Sequence, residues 1–256
     1  MSEKKFLLGL VGLFIVLPFL ILATIKLPAS NVLSATTKSY TIFLVGDSMT
    51  QYLGTGTPEL QADLKKYYPR TMFDIYNYGK GSTSVLTVSE RLDKETEVST
   101  GDKYPPILQR DFDLIIIESF GHNPLSQFPI PEGLKIQTQA LDQIIAKIKA
   151  AKPKAKIVFL ATIAPNRERY GENTINLMPD QRHQWADERT AYIQNHMDYA
   201  NSHNILLIDV YSKSLKDNTG NIDYINTNDF IHPNPSGIYL ISQTIADFIY
   251  KNKLIK

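Results

Sequence analysis

From residue 40 onward, short apolar runs alternate with longer amphipathic ones. The short runs, at 42–45, 72–77, 114–118, 156–162 and 205–210, are rich in Ile, Val, Leu and Phe and predict strands buried in a sheet. Between them, 57–67, 134–150 and 181–203 predict helices, 83–92 predicts a shorter one, and 238–250 closes the chain as another. In 134–150 the apolar residues Ile136, Ala140, Leu141, Ile144, Ile145 and Ile148 recur at helical spacing. Pro69 stops the first helix. The stretch 93–110, charged and broken by Gly101 and Pro105-Pro106, reads as a surface excursion. Strands alternating with helices imply a parallel sheet covered on both faces, joined by right-handed crossovers. The expectation is one three-layer α/β/α domain over 40–256, with about five strands and no internal repeat.

The segment before it has a different pattern. Residues 6–25 carry no charge and follow Lys4-Lys5. That is the length of a membrane-spanning helix, about 20 apolar residues, and longer than the h-region of a signal peptide, about 7–15. Neither Leu27-Pro28-Ala29 nor Leu33-Ser34-Ala35 offers a small residue at both positions of a cleavage site. The reading is a cytoplasmic N-terminus at 1–5, an uncleaved anchor at 6–25, a polar linker at 26–39, and a domain outside the cytoplasm. The alternative is secretion after signal-peptide cleavage.

Composition narrows the classes of function. The 256 residues are 43% hydrophobic and 21% charged, with net charge +1, so no electrostatic footprint for nucleic acid is visible. No obligate protein partner is evident either. There is no cysteine, which excludes disulfides, thiolate catalysis and Cys-ligated zinc.

The chemistry gathers where strands end. The first strand stops at Gly46-Asp47-Ser48, a sharp exit that puts a hydroxyl at the C-terminal edge of the sheet, where open α/β sheets bind ligands. The same residues could simply cap the next helix. The second strand runs into Asn77-Tyr78-Gly79-Lys80-Gly81-Ser82 and the third into Ser119-Phe120-Gly121-His122-Asn123-Pro124. Just before the last helix, Asp229 and His232 stand three residues apart, a spacing that lets the carboxylate hold imidazole Nδ1–H while Nε2 faces outward as a base. The order Ser, Asp, His is one that hydrolase triads use, but Thr50 breaks a G-x-S-x-G, which argues against the α/β-hydrolase fold proper. A dinucleotide fingerprint fails too, because Gly79 and Gly81 lack a third glycine at Ser84.

Together these residues resemble the SGNH (GDSL) hydrolase family of esterases, lipases and acyl-group enzymes. Gly46-Asp47-Ser48 resembles its first block, 77–84 its second, Gly121-His122-Asn123 its third and Asp229-x-x-His232 its fifth. The resemblance implies a three-layer, flavodoxin-like fold and a catalytic triad of Ser48, Asp229 and His232. It also implies an oxyanion hole built from Ser48 N–H, a glycine N–H of the second block and the Asn123 amide. Gly81 fits that glycine, since it precedes Ser82-Thr83-Ser84, with Gly79 as the other candidate. Asp47, Gly79 and His122 are further candidates for the pocket. The family usually has aspartate where this chain has Pro124, so support for the Asn123 loop must come from elsewhere. The implied reaction is ester hydrolysis through an acyl-serine, needing no metal or organic cofactor, on a small-molecule or glycan acyl ester; the anchor suggests that this ester belongs to the cell envelope. Transfer of the acyl group to a glycan hydroxyl, or an inactive glycan-binding relative, are the alternatives. The remaining histidines, His183, His196 and His203, fall in or beside a polar helical stretch and are expected at the surface.

Overall fold

The computed structural model describes residues 38–98 and 100–255. The expected anchor at 6–25, and the linker up to residue 37, lie outside the described residues. Among the described residues no helix is long and apolar enough to cross a membrane.

Five strands, β1 (Ser39–Val45), β2 (Met72–Asn77), β3 (Leu114–Glu118), β4 (Lys156–Ala161) and β5 (Leu206–Asp209), form one parallel sheet in the order β2-β1-β3-β4-β5. Ile42 pairs with Leu114 and Ile75, and Ile116 with Val158. Among the described residues six α-helices accompany the sheet: α1 (Ser48–Gln51), α2 (Pro58–Tyr67), α3 (Val88–Asp93), α4 (Ile130–Ala151), α5 (Pro179–Ser202) and α6 (Pro235–Lys251).

Successive side chains of a strand point to opposite faces, and the core divides accordingly. Ile42, Leu44 and Ile116 pack with Leu60 and Leu64 of α2 and Ile241, Ile245 and Ile249 of α6. Phe43, Val45, Ile115 and Ile117 pack on the other face with Leu92 of α3, Leu141, Ile144 and Ile148 of α4 and Tyr199 of α5. The central strand β3 is buried throughout, which explains its unbroken Leu-Ile-Ile-Ile run. From β1 the chain moves out to β2 and returns on the other side to β3. The C-terminal ends of β1 and β3 therefore flank the switch point of the topology, where ligands bind in such sheets.

Three helices begin earlier than their periodicity predicted, at Ile130, Pro179 and Pro235 rather than at 134, 181 and 238. Each has a proline in its first turn, where the missing N–H is no loss and the fixed φ suits the helix. Residues read as loop punctuation are thus helix starts. The 93–110 excursion is also more than surface. It contains an antiparallel pair of short strands, Thr96–Glu97 with Lys103–Tyr104, and Ile107 is fully buried in the α3–α4 layer.

Candidate active site

Gly46 follows β1 at a point where a side chain has no room. A Cβ there would sit 1.9 Å from Thr50 Oγ1 and 2.8 Å from Glu118 Cβ. The chain turns at Asp47, whose Oδ1 accepts from Met49 N–H at 2.8 Å and caps α1. Capping and presentation of Ser48 are one arrangement, because the capped turn fixes the first helical residue at the sheet edge.

His232 arrives from the turn before α6. That turn is fastened by Asn226 N–H to His232 O at 2.8 Å and Asn234 N–H to Tyr224 O at 3.0 Å, and Asn234 Oδ1 caps α6 through Gly237 N–H. Phe230 takes φ of 51° inside it, letting Asp229 fold back onto His232. His232 Nε2 lies 2.9 Å from Ser48 Oγ, and His232 Nδ1 lies 2.8 Å from Asp229 Oδ2. Asp229 Oδ1 accepts from the N–H groups of Ile231 and His232 at 2.8 and 3.0 Å. Burial pushes the Asp229 carboxyl up, but the hydrogen bonds from His232 and these two N–H groups outweigh it and hold it below the usual carboxylate value. Tyr52 stacks on the imidazole, ring centroids 4.3 Å apart and 4° from parallel.

The second turn separates the two glycines. Gly79 N–H is held by Asn77 Oδ1 at 2.9 Å, and a Cβ on Gly79 would lie 2.4 Å from Gln51 N, so this glycine permits close packing of two turns. Gly81 lies beside Ser48, where an added Cβ would be 3.6 Å from Ser48 Cβ, and its N–H donates to Gln51 Oε1 at 2.6 Å. Ser82 follows at φ 56°. The backbone N–H groups of Ser48 and Ser82 have no acceptor among the described residues. In the third turn, Asn123 N–H donates to Phe120 O at 3.1 Å and its Nδ2 to Asp47 Oδ2 at 2.9 Å. The support that the absent aspartate at 124 would give comes from Asp47.

These groups open into a cleft of about 470 Å³ whose walls include Ser48, Gly81, Asn123, His232, Trp185 and Arg189. His122 also lines it, but both its ring nitrogens are engaged: Nε2 with Ile163 O at 3.0 Å and Nδ1 with Tyr170 Oη at 3.3 Å. Burial, reinforced by the Arg189 and His232 charges, lowers it to about 4, so it is the neutral tautomer with Nε2–H donating to the carbonyl. Asp47 and Gly79 lie behind the cleft wall instead of lining it.

Three residues that shape the site were not visible in the sequence. Arg91 is buried under the first two turns. Its Nη1 donates to Gly46 O at 2.7 Å and Tyr78 O at 2.9 Å, and its Nη2 to Thr87 Oγ1 at 2.7 Å and to Thr83 Oγ1. Glu118, at the end of β3, is buried behind Ser48. Arg189 lies over Trp185, 4.5 Å from its ring centroid, and pairs with Glu188 at 2.5 Å. The only signal for Glu118 was a charge at the end of an otherwise apolar strand, which reads equally well as a strand boundary. His196, expected at the surface, is fully buried and stacked on Phe159 at 4.1 Å, because that turn of α5 packs against β4.

A five-stranded parallel α/β sheet with a serine, a histidine and a carboxylate in hydrogen-bonded sequence at its C-terminal edge defines a serine hydrolase of the three-layer α/β/α type. Residues 44–238 match the GDSL-like lipase/acylhydrolase family, and the chain belongs to that family, whose members act on ester bonds. Solved structures share the fold. A lipase/acylhydrolase from Enterococcus faecalis is 18% identical with a TM-score of 0.59, the match covering 83% of this chain and 96% of the other. Axe2, an acetylxylan esterase from Geobacillus stearothermophilus, is 16% identical with a TM-score of 0.56, covering 83% and 95%. No curated protein matches the chain.

Proposed function

We propose that this enzyme hydrolyses a short-chain acyl ester, with Ser48 as nucleophile, His232 as general base and acid, and Asp229 as the group that orients and stabilises the imidazolium. The observation that carries this reading is the hydrogen-bonded sequence Ser48 Oγ–His232 Nε2–Nδ1–Asp229 Oδ2, at 2.9 and 2.8 Å. His232 Nε2 takes the Ser48 proton as Oγ attacks the ester carbonyl carbon, and the carbonyl electron pair moves onto oxygen. Donors for that oxyanion are Ser48 N–H, the Gly81–Ser82 turn and the second Nδ2 hydrogen of Asn123. Within the turn, Gly81 N–H becomes available only if Gln51 Oε1 releases it. Collapse expels the alcohol oxygen, which takes the proton from His232 and leaves acyl-Ser48. Water then attacks, giving its proton to His232, and the second collapse releases the carboxylic acid and returns the proton to Ser48.

The cleft supports a short acyl group on a polar alcohol. Ile175 and Ile231 are its aliphatic wall residues, too few to line a tunnel for a long chain, whereas Trp185, Tyr170 and Tyr52 offer ring faces and Arg189 a guanidinium. Acylated glycans of the cell envelope suit those groups, and Axe2 acts on an acetylated glycan. The uncharged run at 6–25 behind Lys4-Lys5 is read as the anchor that holds the domain on the outer side of the membrane. The test is intact-mass detection of one fluorophosphonate adduct on wild type and none on Ser48→Ala, followed by acetyl, butyryl and octanoyl esters of p-nitrophenol. Labelling of the Ser48→Ala protein overturns the assignment, and preference for octanoyl overturns the short-acyl reading.

A further inference from the structure

Two buried acids sit behind the nucleophile. Asp47 leaves the end of β1 and Glu118 the end of β3, and they are 0% and 1% exposed. Glu118 Oε2 accepts from Asp47 N–H at 3.3 Å and Glu118 Oε1 accepts from Ser119 Oγ at 2.6 Å, so the two acids are buried side by side. Asp47 in turn accepts from Met49 N–H at 2.8 Å and from Asn123 Nδ2 at 2.9 Å.

Two carboxyl groups buried side by side favour sharing one proton, because burial and mutual repulsion make the doubly ionised pair unfavourable. Arg91, from α3, is the cation within electrostatic reach of both, and it balances one negative charge, not two. His232, from the turn before α6, also faces Asp47. The short amide contacts favour Asp47 as the ionised acid. Met49 N–H and the Asn123 amide both converge on Asp47 and favour its carboxylate. Glu118 has the Ser119 hydroxyl, which can accept as well as donate, the long contact from Asp47 N–H and the Phe120 N–H nearby.

We propose that Glu118 is a positioning residue that works as a neutral acid. Its O–H donates to Asp47, which keeps the Asp47 carboxylate turned toward Asn123 Nδ2 and so aims the remaining Asn123 N–H at the oxyanion. The pair thereby replaces the support lost where Pro124 follows Asn123. This rests on the assignment of Asn123 as an oxyanion donor. Burial first, then the Asp47 charge, pushes the Glu118 carboxyl well above its ordinary value, which agrees with a retained proton. On the alkaline side, ionisation of Glu118 would turn a donor into a second negative charge beneath the developing oxyanion and release Asn123.

The experiment measures kcat and KM for p-nitrophenyl acetate across pH with wild type, Glu118→Gln, Glu118→Leu and, as a blank, Ser48→Ala. The Gln amide keeps a donor toward Asp47 and cannot ionise. It should stay within about threefold of wild type and lose the alkaline decline in kcat, while Glu118→Leu should lose about 10–100-fold in kcat with KM little changed. A Gln variant as impaired as the Leu variant, a wild-type kcat with no alkaline decline, or a decline that survives in Glu118→Gln overturns the proposal. If the Leu variant does not fold, the pH profile of the Gln variant decides alone. Turnover undiminished in Ser48→Ala would instead remove the catalytic assignment itself, so the two failures are distinguishable.

Discussion

Replacing Asn123 by alanine separates a catalytic amide from a structural one. Asn123 Nδ2 has two hydrogens, and one goes to Asp47 Oδ2 at 2.9 Å. The other is the one available to a substrate oxygen, and it strengthens only when charge develops there. Losing such a donor typically lowers kcat by about 10²–10³, or ~2.7–4 kcal/mol, with KM little changed. The same substitution takes one of the donors away from a fully buried carboxylate, which should cost roughly 1–3 kcal/mol of stability. Both effects are expected together, so kcat for p-nitrophenyl acetate must be expressed per folded molecule, with the urea midpoint taken on the same preparation. A protein that is destabilised but fully active would refute the reasoning, because Asn123 would then only hold Asp47. His122 could not stand in for it, since both its nitrogens are committed to Ile163 and Tyr170. The oxyanion would then be left to the backbone N–H groups of Ser48 and the Gly81–Ser82 turn.

Ser48→Ala should lower kcat by about 10⁴ or more while circular dichroism and the urea midpoint stay near wild type; retained hydrolysis would sink the triad. His196 is lowered by burial to about 3 from an ordinary 6.5, so below 6.5 the unfolded chain binds a proton that the folded chain refuses. Stability from this residue is intact above that value and falls as pH drops toward 3, by at most about 1.4 kcal/mol per pH unit. His196→Phe should therefore reduce, though not abolish, the acid dependence of the urea midpoint, because His122 contributes in the same direction; an unchanged slope would refute the assignment. Full-length protein should remain in the membrane fraction after carbonate washing, with the domain reached by protease from outside, and release of a soluble species shortened by about 25–35 residues would point to a cleaved signal peptide.

The residues most readable in the sequence were those whose signal is local. Gly-Asp-Ser after a buried apolar run, and an Asp and a His three apart before a helix, each declare a turn and a polar group within a few positions. Their meeting across 184 residues follows once the strands are parallel, because every strand then delivers its C-terminal end to one edge. The groups that fasten the turns together carry no such local mark. Glu118 reaches Asp47 over 71 residues, and Arg91 reaches Gly46 over 45. In sequence, one is the last residue of a strand and the other a charge on a short helix, positions where charged residues normally face water. His196 was hidden the same way: α5 is polar along most of its length, and only its contact with Phe159 shows which turn is inside. Periodicity reveals which face of an element is apolar. It does not reveal which polar residues the interior keeps, because burying an ionisable group is unfavourable unless partners distant in sequence supply its hydrogen bonds. The buried ionisable groups here lie directly beneath the turns that bear Ser48, Gly81 and Asn123. There, fixing three independent loops to one another, at distances a catalytic site demands, is what offsets the desolvation.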